Sequence, residues 1–128
     1  MSILRDMEQL LIGHVTGGAV IGNEASLWIQ TPGFYPTQEE MNIFIDAFDM
    51  TENELSKGII FQSDRYLVVE NQNGVIVAKN IFGALVLCRC KSCVVFAYIE
   101  SVRDFNEGYE AAIKLAEWIR STPASELK

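Results

Sequence analysis

The residues best suited to chemistry are three cysteines crowded into six positions, Cys88-x-Cys90-x-x-Cys93. The spacing is that of a metal clip, yet a structural zinc site normally closes with four ligands. With Lys91-Ser92 as a two-residue turn, Cys90 faces Cys93 directly across a hairpin, and Cys88 shares a side with Cys90. An odd thiol count points to free cysteines, so these are expected as small apolar sheet residues. The one histidine, His14, follows an amphipathic segment and is expected as a solvated loop residue. A catalytic triad needs a positioned nucleophile and an acid beside it, and nothing in the sequence marks either. Glu39-Glu40 and Asp46-Asp49 read as solvated helix faces. Gly17-Gly18 lacks the Gly-x-x-x-x-Gly-Lys pattern of a phosphate loop. The expectation is a protein without catalysis, metal or cofactor, whose chemistry is surface recognition.

Elements that would carry such a surface follow from periodicity. The chain has 128 residues, 49% of them hydrophobic, which suits a single domain spanning 1–128 with a full core. Ile3, Met7, Leu10 and Leu11 share one helical face, with Ser2 as N-cap. Strands are expected at 17–21 and 26–31. Thr37-Gln38-Glu39-Glu40 forms a capping box that opens a helix over 38–48, and Thr51-Glu52-Asn53-Glu54 forms a second box. From Gly58 the period becomes two, with strands at 58–62, 65–70, 75–79, 84–90 and 93–99. Gln62-Ser63-Asp64, Asn73-Gly74 and Lys91-Ser92 read as hairpin turns, so these strands form an antiparallel meander. Asp104 and Glu107 give a third capping signal. A closing helix then runs through Arg120 on the stripe Phe105, Tyr109, Ala112, Ala116 and Ile119, and Pro123 stops it. This order gives an α+β fold: a central antiparallel sheet with both terminal helices on one face and the 38–56 region on the other.

Net charge is −7, which argues against nucleic acid and anionic lipid as partners. Its distribution is uneven. Residues 39–64 carry seven acids against Lys57 alone. Residues 65–103 carry Arg65, Lys79, Arg89, Lys91 and Arg103 against Glu70 and Glu100. No apolar run is long enough to span a bilayer, and Met1 to Leu11 does not read as a signal peptide, so the expected location is cytoplasmic.

Several segments together resemble the profilin family. Gly18-Ala19-Val20-Ile21-Gly22-Asn23-Glu24-Ala25-Ser26-Leu27-Trp28-Ile29-Gln30-Thr31 is similar to the family's N-terminal pattern, with Ala25 where the family has Gly. Glu39-Glu40-Met41 through Phe48 resembles its second helix. Gly58 through Tyr66, Ala78-Lys79 and Leu115-Ala116-Glu117-Trp118-Ile119 resemble later blocks, so the likeness covers residues 1 to about 122. It implies a profilin-like fold and a monomer that binds monomeric actin, promotes nucleotide exchange and delivers actin to barbed ends in the cytoskeleton.

The actin face implied by the resemblance includes Arg65, Lys79, Arg89, Arg103, Tyr109, Glu110 and Lys114. Cys88 and Glu70 stand where basic residues are common, and Glu110 and Lys114 reverse charges found in some relatives. The implied proline-rich-peptide site comprises Ile3, Asp6, Trp28 and Trp118. Trp28 and Trp118 supply flat walls with N–H donors, as a polyproline helix requires. Ile3 replaces a family Trp, Asp6 replaces a family Tyr, and Ala124 stands near a C-terminal aromatic position, so this site is expected to be weakened or altered. Scattered basic residues in an acidic chain imply little phosphoinositide binding. The alternative is a scaffold or sensor module of roadblock-like or PAS-like architecture, since fold alone does not fix function.

Overall fold

The computed structural model describes residues 3–101 and 104–122, without the side chain of Ile3. Ser2, Arg103, Pro123 and Ala124 lie outside the described residues. Two helices bracket seven strands: α1 (Ile3–Leu11), β1 (Gly17–Gly22), β2 (Leu27–Gln30), α2 (Gln38–Asp46), a 3₁₀ turn (Ala47–Asp49), α3 (Glu52–Leu55), β3 (Ile59–Phe61), β4 (Asp64–Gln72), β5 (Val75–Lys79), β6 (Ala84–Arg89), β7 (Cys93–Ile99) and α4 (Phe105–Ser121). All the pairings are antiparallel and the order is β2-β1-β7-β6-β5-β4-β3. The meander read from the turns therefore spans β3 to β7. Alternation within each strand does not encode the pairing of β1 with β7, which brings Gly17 opposite Tyr98 and Gly22 opposite Cys93.

Alternation sorts side chains onto two unlike faces. The face under α1 and α4 is aliphatic and sulfur-bearing, with Val77, Val86, Cys88, Val95, Leu115 and Ile119. The opposite face carries α2 and α3 and is built on rings. Phe44 stacks on Phe96 at 4.1 Å, and Phe61 meets Phe34, Tyr66 and Tyr98. Terminal and smaller helices thus occupy opposite faces, as the element order implies.

Two of the three capping boxes form. Thr37 Oγ1 accepts from Glu40 N at 3.0 Å while Glu40 Oε1 accepts from Thr37 N at 2.9 Å. Thr51 and Glu54 repeat the exchange, and those hydrogen bonds hold the Glu54 carboxyl below its ordinary range. The third does not form. Asp104 sits at ψ 6°, far from the extended 162° and 163° of Thr37 and Thr51, and makes no side-chain cap. Glu107 reaches His14 instead.

Turn chemistry also departs from expectation at one hairpin. Asn73 and Gly74 both have positive φ, as a type I′ turn requires. Gln62 (φ 50°) and Ser63 (φ 70°) do the same without Asn or Gly, and Asp64 already belongs to β4. Glu40 Oε2 accepts from Gln62 N at 3.0 Å and helps hold this strained turn.

Candidate functional site

One surface forms where β4 and β5 meet the first turns of α4. Lys79 pairs with Leu67 across the strands, and its Nζ lies 4.1 Å from the centre of the Phe105 ring. That cation–π contact fixes a cation on an apolar bed. Phe105 stacks on Tyr109 at 5.6 Å, and the Tyr109 hydroxyl donates to Glu70 Oε2 at 3.4 Å. Burial and the Glu70 carboxylate push the Tyr109 hydroxyl above its ordinary pKa, so it stays a donor. A bulge between Val68 and Glu70 takes Val69 out of register.

Large apolar side chains stand exposed around this centre. Leu67 is 55% exposed and Val69 61%. The β5–β6 turn carries Ile81 at 92% and Phe82 at 52%. This turn is held from below. Asn80 Oδ1 accepts from Phe82 N at 2.7 Å and Gly83 N at 3.1 Å, and Asn80 Nδ2 donates to the Arg65 carbonyl at 3.2 Å. A braced turn displaying two large hydrophobes, beside an apolar strand pair with a fixed cation, has the make-up of a protein-binding patch.

The described residues expected at the actin face divide among three places. Lys79 and Tyr109 lie at the patch, and Arg65 is exposed on the same face of β4, since its neighbour Tyr66 points into the ring-built core. Arg89 is a departure from the grouping. Cys88 points toward α4, so alternation turns Arg89 to the opposite face, with its guanidinium 5.8 Å from the Phe48 ring centre and 3.5 Å from Asp49 Oδ1. Glu110 and Lys114 are exposed on α4 but face α1. With Gln9, Leu10, His14 and Glu107 they line a groove of about 290 Å³. His14 is exposed, as expected, but not alone: its Nδ1 lies 2.8 Å from Glu107 Oε2.

A second surface lies where α1 crosses β2 and the far end of α4. Trp28 and Trp118 are both half-buried and pack against the core beneath α1 and α4. A Cβ at Gly22 would lie 2.6 Å from Trp28 Nε1, so only glycine there lets the indole occupy its place. The Trp118 carbonyl accepts from Ser121 Oγ at 2.9 Å and Thr122 Oγ1 at 2.7 Å, which secures the end of α4. Asp6 is half-buried in the first turn of α1, and Ile3 opens that helix.

The family model described as Profilin matches residues 5–123. The chain belongs to the profilin family. It is 32% identical to profilin of Drosophila melanogaster over 72 residues, 56% of this chain and 57% of that protein. It is 25% identical to profilin-A of Physarum polycephalum over 108 residues, 84% of this chain and 86% of that one. The chain thus aligns with little more than half the length of the fly profilin. Among solved structures, Acanthamoeba castellanii profilin IA superposes with a TM-score of 0.80 at 16% identity, covering 93% of this chain and 97% of that one. LokiProfilin2, solved in complex with rabbit actin, gives 0.69 at 19% identity over 91% and 98% of the two chains. Mouse profilin IIa, solved with a double repeat from the FH1 domain of mDia1, gives 0.66 at 17% identity over 88% and 92%.

Within this profilin fold, the expected residues Arg65, Lys79 and Tyr109 come together at the patch, Arg89, Glu110 and Lys114 do not, and sequence reasoning missed the patch's apolar residues. Leu67 and Val69 were hidden in a strand whose alternation suits either face. Ile81-Phe82 did leave a signal: two large hydrophobes directly after Asn80, in a turn where polar residues are usual. The three cysteines are free and buried, and among the described residues no group of side chains is arranged to hold a metal ion. No helix among the described residues is long and apolar enough to cross a membrane.

Proposed function

We propose that this chain binds monomeric actin through the β4–β5–α4 patch and regulates polymerisation stoichiometrically, without turnover. Family membership and the solved complex of a structurally similar profilin with rabbit actin support this reading. The observation that carries it in this chain is the braced patch itself: Lys79 held on Phe105, with Leu67, Val69, Ile81 and Phe82 displayed around it. Actin is an acidic partner, so a fixed cation in an apolar field supplies both attraction and desolvated area. Arg65 adds charge on the same face of β4. Occupying the monomer's barbed-end side would suppress spontaneous nucleation, promote nucleotide exchange and allow delivery to growing barbed ends, in the cytoplasm and as a monomer. Arg103 lies outside the described residues, and its part in actin binding is proposed on the resemblance alone. Pyrene-actin assembly with increasing protein, using actin of the same source, tests the reading: a lengthened lag and faster nucleotide exchange are expected, and no effect on either refutes it.

The proline-rich partner is proposed in a reduced form. Mouse profilin IIa was solved with a double repeat from the FH1 domain of mDia1, and this chain carries two indoles, Trp28 and Trp118, on the side of the sheet that α1 covers. Ile3 and Asp6 remove two flat walls, and aromatic anchors carry much of the energy of such contacts. Binding is therefore weak. Little phosphoinositide binding is expected, because the acidic total leaves no polybasic cluster. Intrinsic fluorescence with polyproline reads the groove directly: saturation only in the millimolar range is expected, and micromolar saturation overturns the reduced form.

A further inference from the structure

The thiols at the β6–β7 turn are not used by either surface. Cys90 and Cys93 flank the two-residue turn Lys91-Ser92, and Cys90 N donates to the Cys93 carbonyl at 2.8 Å. Directly opposed antiparallel partners stand about 4.5–5.5 Å apart at Cα, inside the range a disulfide spans. Both side chains turn to the same face, beneath the last turns of α4. The two thiols are close enough to perturb each other's titration. Cys90 Sγ also lies 3.7 Å from the Ala116 carbonyl. Arg120 crosses above the pair and donates from Nη2 to the Arg89 carbonyl.

We propose that Cys90 and Cys93 are a redox-modification site, at which a hydroperoxide converts the two thiols into an intramolecular disulfide across the turn. Three features support a division of labour. Cys90 retains slight exposure (4%), whereas Cys93 and Cys88 have none, so a small oxidant meets Cys90 first. The neighbouring Cys93 thiol and the Arg120 charge lower the Cys90 thiol below its ordinary value, and Cys90 in turn raises Cys93. Burial pushes Cys88 up to about 12, which keeps it an inert thiol.

The step balances. The Cys90 thiolate attacks one oxygen of hydrogen peroxide, the O–O bond breaks, and the leaving hydroxide takes up the proton that Cys90 gave, forming water. Cys90 becomes a sulfenic acid. The Cys93 sulfur then attacks Cys90 Sγ, the S–O bond breaks, and the departing hydroxide leaves as water with the Cys93 proton. The sum is two thiols and one peroxide giving one disulfide and two waters.

Peptide mapping of the full chain tests this. After brief treatment with a modest excess of hydrogen peroxide, the chain is unfolded, alkylated with N-ethylmaleimide and digested with trypsin, which cuts after Arg89 and Lys91. The alkylatable thiols should fall from three to one, Cys88 should carry the label, and the Cys90-Lys91 fragment should be joined to the peptide starting at Ser92. Dithiothreitol should restore all three. In Cys93→Ser the sulfenic acid on Cys90 should persist and react with dimedone, and Cys90→Ser should abolish the response. Three free thiols after treatment, a bridge through Cys88, a link between molecules, or irreversible oxidation without a bridge each overturn the proposal. The wild-type map decides by itself if either variant fails to fold.

Discussion

The two candidate surfaces share α4 but use it differently. At its start, Phe105 and Tyr109 are stacked and half-buried, Lys79 is fixed above them, and the neighbouring turn is braced by Asn80. At its far end, Trp118 is half-buried against the core that Trp28 of β2 also packs on, and α1 carries Ile3 and Asp6. The first surface is assembled from side chains that already hold one another. As the proposed proline-rich-peptide site, the second lacks two rings that would close it. Affinity should therefore be concentrated at the start of α4, because a preorganised apolar centre avoids ordering costs that an incomplete groove still has to meet.

The largest expected effect attacks the first surface. Phe82→Ala with Lys79→Glu should weaken monomeric actin binding by about a hundredfold, since a partly exposed ring and a central cation are each worth roughly 1–2 kcal/mol. Titration by sedimentation or fluorescence would read it, with thermal melting as a control for folding. Next comes repair of the second surface. Ile3→Trp with Asp6→Tyr should tighten binding of a proline-rich peptide by about tenfold, as restored aromatic anchors do, while leaving actin affinity unchanged. An equal gain in actin binding would erase the distinction between the two ends of α4. A smaller effect is expected from Arg89→Ala. Its guanidinium lies over Phe48 on the opposite face, so actin affinity should stay within about twofold, and loss of the exposed pair with Asp49 should cost about 0.5 kcal/mol or less. The smallest concerns the link between α1 and α4. Glu107→Gln should lower stability by roughly 0.5 kcal/mol or less in a denaturant melt, because both partners of His14–Glu107 are about half exposed.

Local grammar made much of the fold legible. Asn73-Gly74 demands positive φ, the two Thr-x-x-Glu boxes announce helix starts, and alternation from Gly58 marks the meander. What escaped was non-local or double-valued. The β1–β7 pairing depends on which strand edge is left free after the meander closes. Asp104 and Glu107 have the composition of a cap, yet Glu107 is engaged by His14, far away in sequence. Arg89 read as one of a basic group because charge was counted along the chain, whereas alternation after Cys88 decides its face. The exposure of Leu67 and Val69 depends on what packs over β4, and a strand's own pattern does not encode that.

The most direct measurement is the affinity of the wild-type chain for monomeric actin, set beside Phe82→Ala with Lys79→Glu and Arg89→Ala. The account predicts binding by the wild type, near-equal binding by Arg89→Ala, and a loss of about a hundredfold in the double variant with an unchanged melting profile. Absence of wild-type binding, or equal affinities for the wild type and the double variant, would contradict it.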